Sequence, residues 1–174
     1  MKNNILLTII IPLIMISCRS GNKLETVPSV DLKRYAGVWY EIALYPVVFE
    51  KGCNCTTAEY IPTDKNYVKV INRCRKGGIN GKESMIEGKA FIEKGSNNAK
   101  LKVQFFWPFK GKYWIIGLAD DYSWAVVSHP NRKYLWILSR TPQLQDGVYE
   151  KIIQLIKEKG LDPEKLIKTT QIKA

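Results

Sequence analysis

The sequence contains few of the side chains from which enzymes usually build active sites. Its single histidine, His129, lies in a Ser-His-Pro-Asn stretch typical of a turn, so neither a histidine-rich metal site nor a histidine base is predicted. The Gly-x-Ser-x-Gly elbow of serine hydrolases and a phosphate-binding glycine loop are both missing. Asp120 and Asp121 are neighbours in another predicted turn, which does not favour a catalytic carboxylate pair. We therefore predict a protein that is not an enzyme, with no catalytic residues, no metal and no cofactor.

Long hydrophobic runs are confined to the first residues of the chain. Lys2 precedes an apolar run over residues 5–16, and polar residues follow directly after Cys18. The run is too short to span a membrane comfortably, and a positive charge before a short apolar run is typical of export signals. The sequence therefore predicts a signal peptide at residues 1–17 and an exported mature protein.

Cys18 stands where cleavage of the signal peptide would fall. The stretch Met15-Ile16-Ser17-Cys18 resembles the lipobox of bacterial lipoproteins, with Met in place of the usual Leu. That resemblance implies that Cys18 becomes the lipidated first residue and attaches the protein to a membrane. Because Arg19 rather than Asp follows, it also implies the outer membrane of a bacterial cell envelope, facing the periplasm. The alternative is an ordinary signal peptide with an incidental cysteine.

Acidic residues are scarce relative to basic ones. The chain has 16 Asp and Glu against 27 Lys and Arg, a net charge of +11, and loss of residues 1–17 would remove one lysine. A basic surface attracts anionic membranes and also nucleic acid. No nucleic-acid-binding motif accompanies the charge, so we predict no nucleic-acid partner. The lysines alternate with apolar residues, and a solvated outer face is therefore the simplest interpretation.

Three cysteines remain beyond the candidate lipidation site, and an exported chain is expected to use them for one disulfide and one free thiol. If Ile61 faces Val68 across a turn, Cys55 lies opposite Cys74, and we predict a disulfide between them. The faces conflict, however, because Cys55 shares its face with polar residues and Cys74 shares its face with valines. Either one strand bulges or Cys53 is the true partner. A metal site at the two closely spaced cysteines is a weaker alternative, since the chain has one histidine.

Turn residues divide the rest of the chain into short runs of β-type residues. Within them apolar and polar residues alternate, as Leu101, Val103 and Phe105 alternate with Lys102 and Gln104. This alternation predicts strands with one dry and one solvated face. Eight such strands can close an all-β, antiparallel up-and-down barrel around one small ligand. The strands are predicted at about residues 37–45, 55–61, 67–75, 85–93, 100–107, 112–119, 123–129 and 134–139.

One helix follows the last strand. Asp146 can cap a helix that ends near Lys159, before Gly160, and an apolar stripe at helical spacing predicts that it packs against the outside of the barrel. Residues 167–172 can return as an extended edge segment. The resulting domain prediction is a lipidated cysteine and tether at residues 18–30 and one barrel domain at residues 31–174.

Three separated motifs resemble those of the lipocalin family. They are Gly37-Val38-Trp39-Tyr40-Glu41, Asp120-Asp121-Tyr122 and Ser139-Arg140-Thr141-Pro142. Residues 32–43, 105–109 and 130–142 are also similar to bacterial outer-membrane lipocalins and their apolipoprotein D-like relatives. The resemblance implies a barrel floor closed by Trp39, with Arg140 stacked across it. It implies structural rather than binding roles for Gly37, Trp39, Tyr40, Asp121, Tyr122 and Arg140.

Ligand contacts are then expected in the lumen and at its open end. Glu41 shares the inward face of Trp39, so it is expected either to pair with a Tyr or Lys or to meet a ligand head group. The remaining candidate ligand-binding residues, chosen by strand alternation, are Ile86, Ala90, Val103, Phe105, Trp136 and, near the rim, Tyr113.

The resemblance implies a fatty acid or a lysophospholipid as the partner, held or transported during lipid storage or maintenance of the envelope. A homodimer is also compatible with the sequence. Two other functions stay open at this point. One is an interaction module with a filled barrel that acts through its basic surface, and the other is a minor lipid-modifying activity.

Overall fold

The computed structural model describes residues 23–145 and 147–172. The predicted signal peptide, the candidate lipidation site Cys18 and the predicted helix cap Asp146 lie outside the described residues. No helix within the described ranges is long and apolar enough to cross a membrane.

Eight antiparallel strands form the wall of a closed barrel. They are β1 (Gly37–Leu44), β2 (Cys53–Ile61), β3 (Val68–Lys76), β4 (Lys82–Ile92), β5 (Lys100–Gln104), β6 (Gly111–Leu118), β7 (Trp124–Ser128) and β8 (Leu135–Ser139). Each strand from β1 to β7 pairs with the strand that follows it, and β8 pairs back with β1. The prediction of an eight-stranded up-and-down barrel is confirmed.

The sequence prediction misses the start of β4 and the end of β5 by three residues each. Strand β5 ends at Gln104 rather than at residue 107, and Phe109 donates a backbone hydrogen bond to Phe106 across the following turn at 2.9 Å. Phe106 and Trp107 are therefore in a loop and are exposed. Alternating apolar residues continue beyond the strand, which is why the pattern alone overestimates its length.

The C-terminal segment, residues 167–172, fills a seam in the barrel. β1 pairs with β2 only through residues 37–40, after which the two strands separate. A short strand, β9 (Ile167–Lys168), then pairs with the last two residues of β1, and the backbone N–H of Cys55 in β2 donates to the carbonyl of Thr170 at 2.7 Å. The extended edge segment expected here therefore satisfies backbone groups on both sides of the seam.

Two helices cover the barrel from outside the lumen. The short α1 (Leu32–Tyr35) is capped by the Asp31 carboxylate, and α2 (Val148–Glu158) packs against the outer wall. Ile152 and Ile156 of α2 are fully buried in a cluster with outward-facing wall residues such as Ile116 and Ile137. The predicted position of the helix outside the barrel is confirmed. A second cluster, on the inward face of the strands, fills the lower lumen.

The strand directions define two ends of the barrel. The closed end contains α1 and the loops β2–β3, β4–β5 and β6–β7, and the open end contains the loops β1–β2, β3–β4, β5–β6 and β7–β8. Residues 23–30, expected to be a tether, instead pack along the wall. Val27 and Val30 donate backbone hydrogen bonds to Ile115 and Asn97 at 2.9 Å, and Leu24 is buried.

Candidate ligand site in the barrel lumen

The closed end is sealed by Trp39 and Arg140. Trp39 is fully buried, and its indole N–H donates to the carbonyl of Tyr35 at 2.8 Å. The guanidinium carbon of Arg140 lies 3.8 Å from the Trp39 ring centroid. The same guanidinium donates to the carbonyls of Val38 and Arg34 at 2.8 and 2.7 Å. A cation held over an aromatic face and bonded to backbone carbonyls is a structural closure of this end.

The other motif residues surround this floor. Gly37 has a φ of +91°, a conformation that favours glycine, and a Cβ there would lie 3.5 Å from Arg140. The Tyr122 hydroxyl accepts the backbone N–H of Asp31 at 2.8 Å. Asp121 is exposed, and hydrogen bonds from the Ser123 side chain and then from the Ser123 backbone N–H lower the pKa of its carboxyl. Tyr40 is half-buried on β1 between β2 and β8.

Above the floor, three tyrosine hydroxyls form a hydrogen-bonded cluster. Tyr60 donates to Tyr113 at 2.8 Å, and the hydroxyls of Tyr35 and Tyr113 are 2.7 Å apart. Burial raises the pKa of all three groups well above the usual tyrosine value, so they are neutral. Tyr113 was expected near the rim, but its hydroxyl lies deep in the lumen because the long side chain reaches Tyr35 near the floor. The lower lumen is therefore filled and neutral.

The upper wall of the lumen is mostly apolar, with Asn72 opposite Ile86 as a polar exception, and it retains access to solvent. Ile86, Val103, Phe105 and Trp136 are half-buried although the strand register turns them inward, toward the lumen. Small residues lie between them. Ala90 is fully buried, and a Cβ on Gly88 would lie 2.7 Å from the Phe105 ring. Partial exposure of inward-facing apolar side chains indicates open space above the tyrosine cluster.

At the mouth of the lumen, two carboxyl groups face each other. Glu41 is buried and accepts the Thr169 hydroxyl at 2.5 Å, and the Trp136 indole donates to Glu50 at 3.1 Å. Burial, followed by the neighbouring Glu50, raises the pKa of Glu41 from 4.5 to about 9. A protonated Glu41 can donate to Glu50, whose second oxygen is buried without another hydrogen-bond partner. The expected partner of Glu41 was a Tyr or a Lys, so the actual pairing differs.

A cavity of about 450 Å³ lies beside this carboxyl pair. It is bounded by the β1–β2 loop and the C-terminal segment, and its lining includes Glu41, Leu44, Glu50 and Thr169. Among the predicted ligand-binding residues, Glu41 lines this cavity, whereas the other six line the lumen wall or its lower part. The volume lies within the range of small-molecule sites.

Sequence reasoning missed the partners that position Glu41. Glu50 belongs to a one-turn 3₁₀ helix (Val48–Glu50) between β1 and β2, and Thr169 and Gln171 belong to the C-terminal segment. Gln171 donates to the carbonyls of Glu41 and Thr56 at 2.9 and 2.8 Å. None of these residues follows a periodic pattern. The one available signal was the extended character of residues 167–172, which indicated a returning strand but not its neighbours.

The disulfide prediction was wrong in its choice of partner. Cys53, rather than Cys55, bonds to Cys74, and Cys55 is a free, half-buried cysteine. The register shifts between Asn54 and Thr57, and Cys55 has a φ of +53°. This bulge turns the chain so that Cys53 reaches the inward face of Cys74. Both alternatives raised by the sequence are therefore confirmed: Cys53 is the partner of Cys74, and β2 contains a bulge.

Removal of this disulfide provides a direct check of the pairing. Cys74→Ser is expected to lower the free energy of unfolding by about 3 kcal/mol, because the bond closes a loop with a sequence separation of 21 residues. Cys55→Ser is the matched control and is expected to change it by less than about 1 kcal/mol. Urea unfolding under oxidising conditions measures both. A loss for Cys55→Ser as large as that for Cys74→Ser would show that Cys55 is the partner of Cys74 and that the pairing is wrong.

Comparisons with known proteins agree with this geometry. A family model described as a lipocalin-like domain matches residues 30–171. The outer membrane lipoprotein Blc of Vibrio cholerae is 40% identical over 148 residues, 84% of this chain and 86% of the relative. The protein of the same name from Escherichia coli K12 is 39% identical over 160 residues, 88% of each chain. Apolipoprotein D of Bos taurus is 34% identical over 151 residues, 82% of this chain and 77% of the relative.

A solved structure supports the same assignment. Insecticyanin from the tobacco hornworm Manduca sexta superimposes with a TM-score of 0.71 at 25% identity, covering 87% of this chain and 86% of the other. Lipocalins are binding and transport proteins rather than enzymes, and the bacterial relatives are outer membrane lipoproteins. The family match, the identities and the sealed eight-stranded barrel all lead to one conclusion. This chain is a member of the lipocalin family and a bacterial outer membrane lipoprotein of the non-enzymatic, ligand-binding kind.

Proposed function

We propose that the upper lumen holds the acyl chain of a fatty acid or a lysophospholipid, with the head group at the mouth. The observation that carries this proposal is the partial exposure of inward-facing apolar residues, among them Ile86, Val103 and Phe105. An acyl chain would remove this surface from water at about 0.8 kcal/mol per methylene. The filled lower lumen limits the chain to the upper part of the barrel.

The mouth is suited to an amphiphile rather than to a wholly apolar molecule. The Trp136 indole, the Thr169 hydroxyl and the two glutamates provide polar groups beside the cavity. Because the raised pKa keeps Glu41 neutral near pH 7, its carboxyl group adds no negative charge against an acidic head group. Such a site favours a single hydrocarbon chain with a small polar end.

We further propose that lipidated Cys18 attaches the protein to the outer membrane, where it stores or carries lipid for envelope maintenance. The lipobox-like stretch and the lipoprotein relatives support this attachment. The homodimer stays a prediction.

A lumen-filling substitution tests ligand binding. Ile86→Trp is expected to weaken binding of a fluorescent fatty acid about thirtyfold, since the indole displaces space equivalent to two or three methylenes. Met85→Trp is the matched control, because Met85 is the preceding residue on β4 and is exposed on the outer face. It should leave affinity unchanged. Fluorescence titration of both variants and the wild type gives the comparison.

Equal affinity of Ile86→Trp and the wild type would contradict binding in the upper lumen. Equal losses in both Trp variants would point to a general disturbance of the barrel. A turnover assay on the same lipid completes the test, and lipid recovered unchanged at saturating protein is the expected result.

A further inference from the structure

The open end of the barrel carries exposed aromatic residues on separate loops. Trp107 is 86% exposed and Phe109 76% exposed, values unusual for large apolar side chains in a folded domain. They project from the β5–β6 loop, and other loops at the same end contribute further apolar side chains. The open-end apolar set is Val48, Phe49, Ile79, Phe106, Trp107 and Phe109.

The two ends of the barrel also differ in charge. The closed-end segments 31–36, 61–68, 92–100 and 118–124 contain five acidic and five basic residues. The open-end segments 44–53, 76–82, 104–111 and 128–135 contain one acidic residue, Glu50, and it is turned inward to Trp136. The same open-end segments contain six basic residues, which are Lys51, Lys76, Lys82, Lys110, Arg132 and Lys133.

The described chain begins at this same end. Leu24 is buried against the barrel, and Lys159, just after α2, donates to the carbonyl of Glu25 at 3.4 Å. Lys23 and Glu25 share a shallow pocket with Arg132 of the β7–β8 loop. Lys23 is only five positions after Cys18 in the sequence, a reach of at most about 18 Å. If Cys18 is lipidated, as proposed above, the anchor holds the open end close to the bilayer.

We propose that the open end of the barrel docks on an anionic lipid bilayer, with its exposed aromatic residues in the head-group region and its lysines against lipid phosphates. Aromatic rings prefer the membrane interface, and clustered basic residues are attracted to anionic lipid surfaces. The closed end, where the acidic and basic residues of these segments balance, has neither feature. Docking in this orientation opens the lumen toward the membrane, so that a lipid chain can transfer without crossing water.

Binding to vesicles tests the docking surface without the lipid anchor. A chain of residues 18–174 with Cys18→Ser cannot be lipidated at this position and keeps every described residue, and near-ultraviolet circular dichroism checks that it is folded. In a vesicle flotation assay, this chain is expected to bind phosphatidylcholine–phosphatidylglycerol vesicles at least about tenfold more tightly than phosphatidylcholine vesicles. High salt should weaken the binding. Equal binding to both vesicle types would overturn the proposal.

Paired variants locate the contact. The triple substitution Phe106→Ser, Trp107→Ser, Phe109→Ser is expected to reduce vesicle binding about tenfold or more, and Lys51→Glu with Lys82→Glu should do the same. The closed-end controls are Val38→Ser with Ile92→Ser, both 40% exposed, and Lys65→Glu with Lys94→Glu. Losses in the controls as large as those in the open-end variants would overturn the proposed orientation.

Two further measurements separate docking from ligand binding and from misfolding. Brominated lipids should quench the wild-type fluorescence more than that of Trp107→Phe, because Trp107 is the inserted indole. Equal quenching would contradict insertion of this loop. The docking variants should retain fatty-acid affinity, and Ile86→Trp should retain vesicle binding. If fatty-acid binding fails, vesicle binding still tests the docking proposal. If vesicle binding fails, fatty-acid titration still tests the lumen proposal.

Discussion

Trp39→Ala is expected to lower the free energy of unfolding by about 4 kcal/mol, because the indole is fully buried and its loss opens a cavity at the barrel floor. Arg140→Ala is expected to cost about 3 kcal/mol through loss of the cation–π contact and of charge-assisted hydrogen bonds to carbonyls. Arg34→Ala is the matched control. Its guanidinium stacks on Tyr122 at 4.0 Å and donates to the carbonyl of Asp120 at 2.7 Å, but both contacts are exposed, so a loss below about 1 kcal/mol is expected.

Urea unfolding of the single variants and the double variant measures the coupling between the two residues. We expect the double variant to lose about 1–2 kcal/mol less than the two single losses added together, since both residues contribute to one contact. Strict additivity would contradict a shared role at the floor. The Arg34 control guards against a general effect of removing surface charge.

The fold was largely predictable from the sequence because it depends on periodic patterns. Alternating residues such as Leu101 and Val103 mark the inner face of a strand whatever its neighbours are, and the apolar stripe of α2 marks its packed face. The floor was predictable for a different reason. Trp39 and Arg140 belong to short motifs whose residue types and order resemble one family, so the sequence alone predicts their contact.

The mouth of the lumen could not be predicted in the same way. Glu41 meets Glu50 and Thr169, which are 9 and 128 residues away along the chain and lie outside the eight wall strands. The disulfide failed for a related reason, since a single-residue bulge at Cys55 changes which cysteine faces Cys74. Bulges and the positions of loops depend on long-range packing, and the local alternation of apolar and polar residues does not predict them.

Glu41 makes the stability of the protein depend on pH. Its folded-state pKa of about 9 exceeds the ordinary value of 4.5, so between these values the folded protein holds a proton that the unfolded chain releases. This stabilising contribution is complete below about pH 4.5 and is lost as the pH rises toward 9, with a slope of at most about 1.4 kcal/mol per pH unit.

Glu41→Gln is expected to remove this slope and to stabilise the protein by about 2 kcal/mol at neutral pH. The amide is uncharged, can still accept the Thr169 hydroxyl and can donate to Glu50. Urea unfolding from about pH 5 to about pH 9 measures the effect. Glu87→Gln is the control, because Glu87 is exposed on the outer wall and pairs with Lys69, and it should keep the wild-type slope. Identical slopes for Glu41→Gln and the wild type would contradict a buried, protonated Glu41.

The same substitution separates a structural role of Glu41 from a ligand-binding one. If Glu41 only holds the C-terminal segment through Thr169 and Gln171, Glu41→Gln should leave the affinity for fatty acid unchanged while it flattens the pH dependence. If the carboxyl group meets the head group, affinity should change together with stability. We expect the first result, because the Glu41 carboxyl already has the Thr169 hydroxyl and Glu50 as partners within the protein. A protonated Glu41 then holds the C-terminal segment at the seam and adds no negative charge of its own beside an entering anionic lipid.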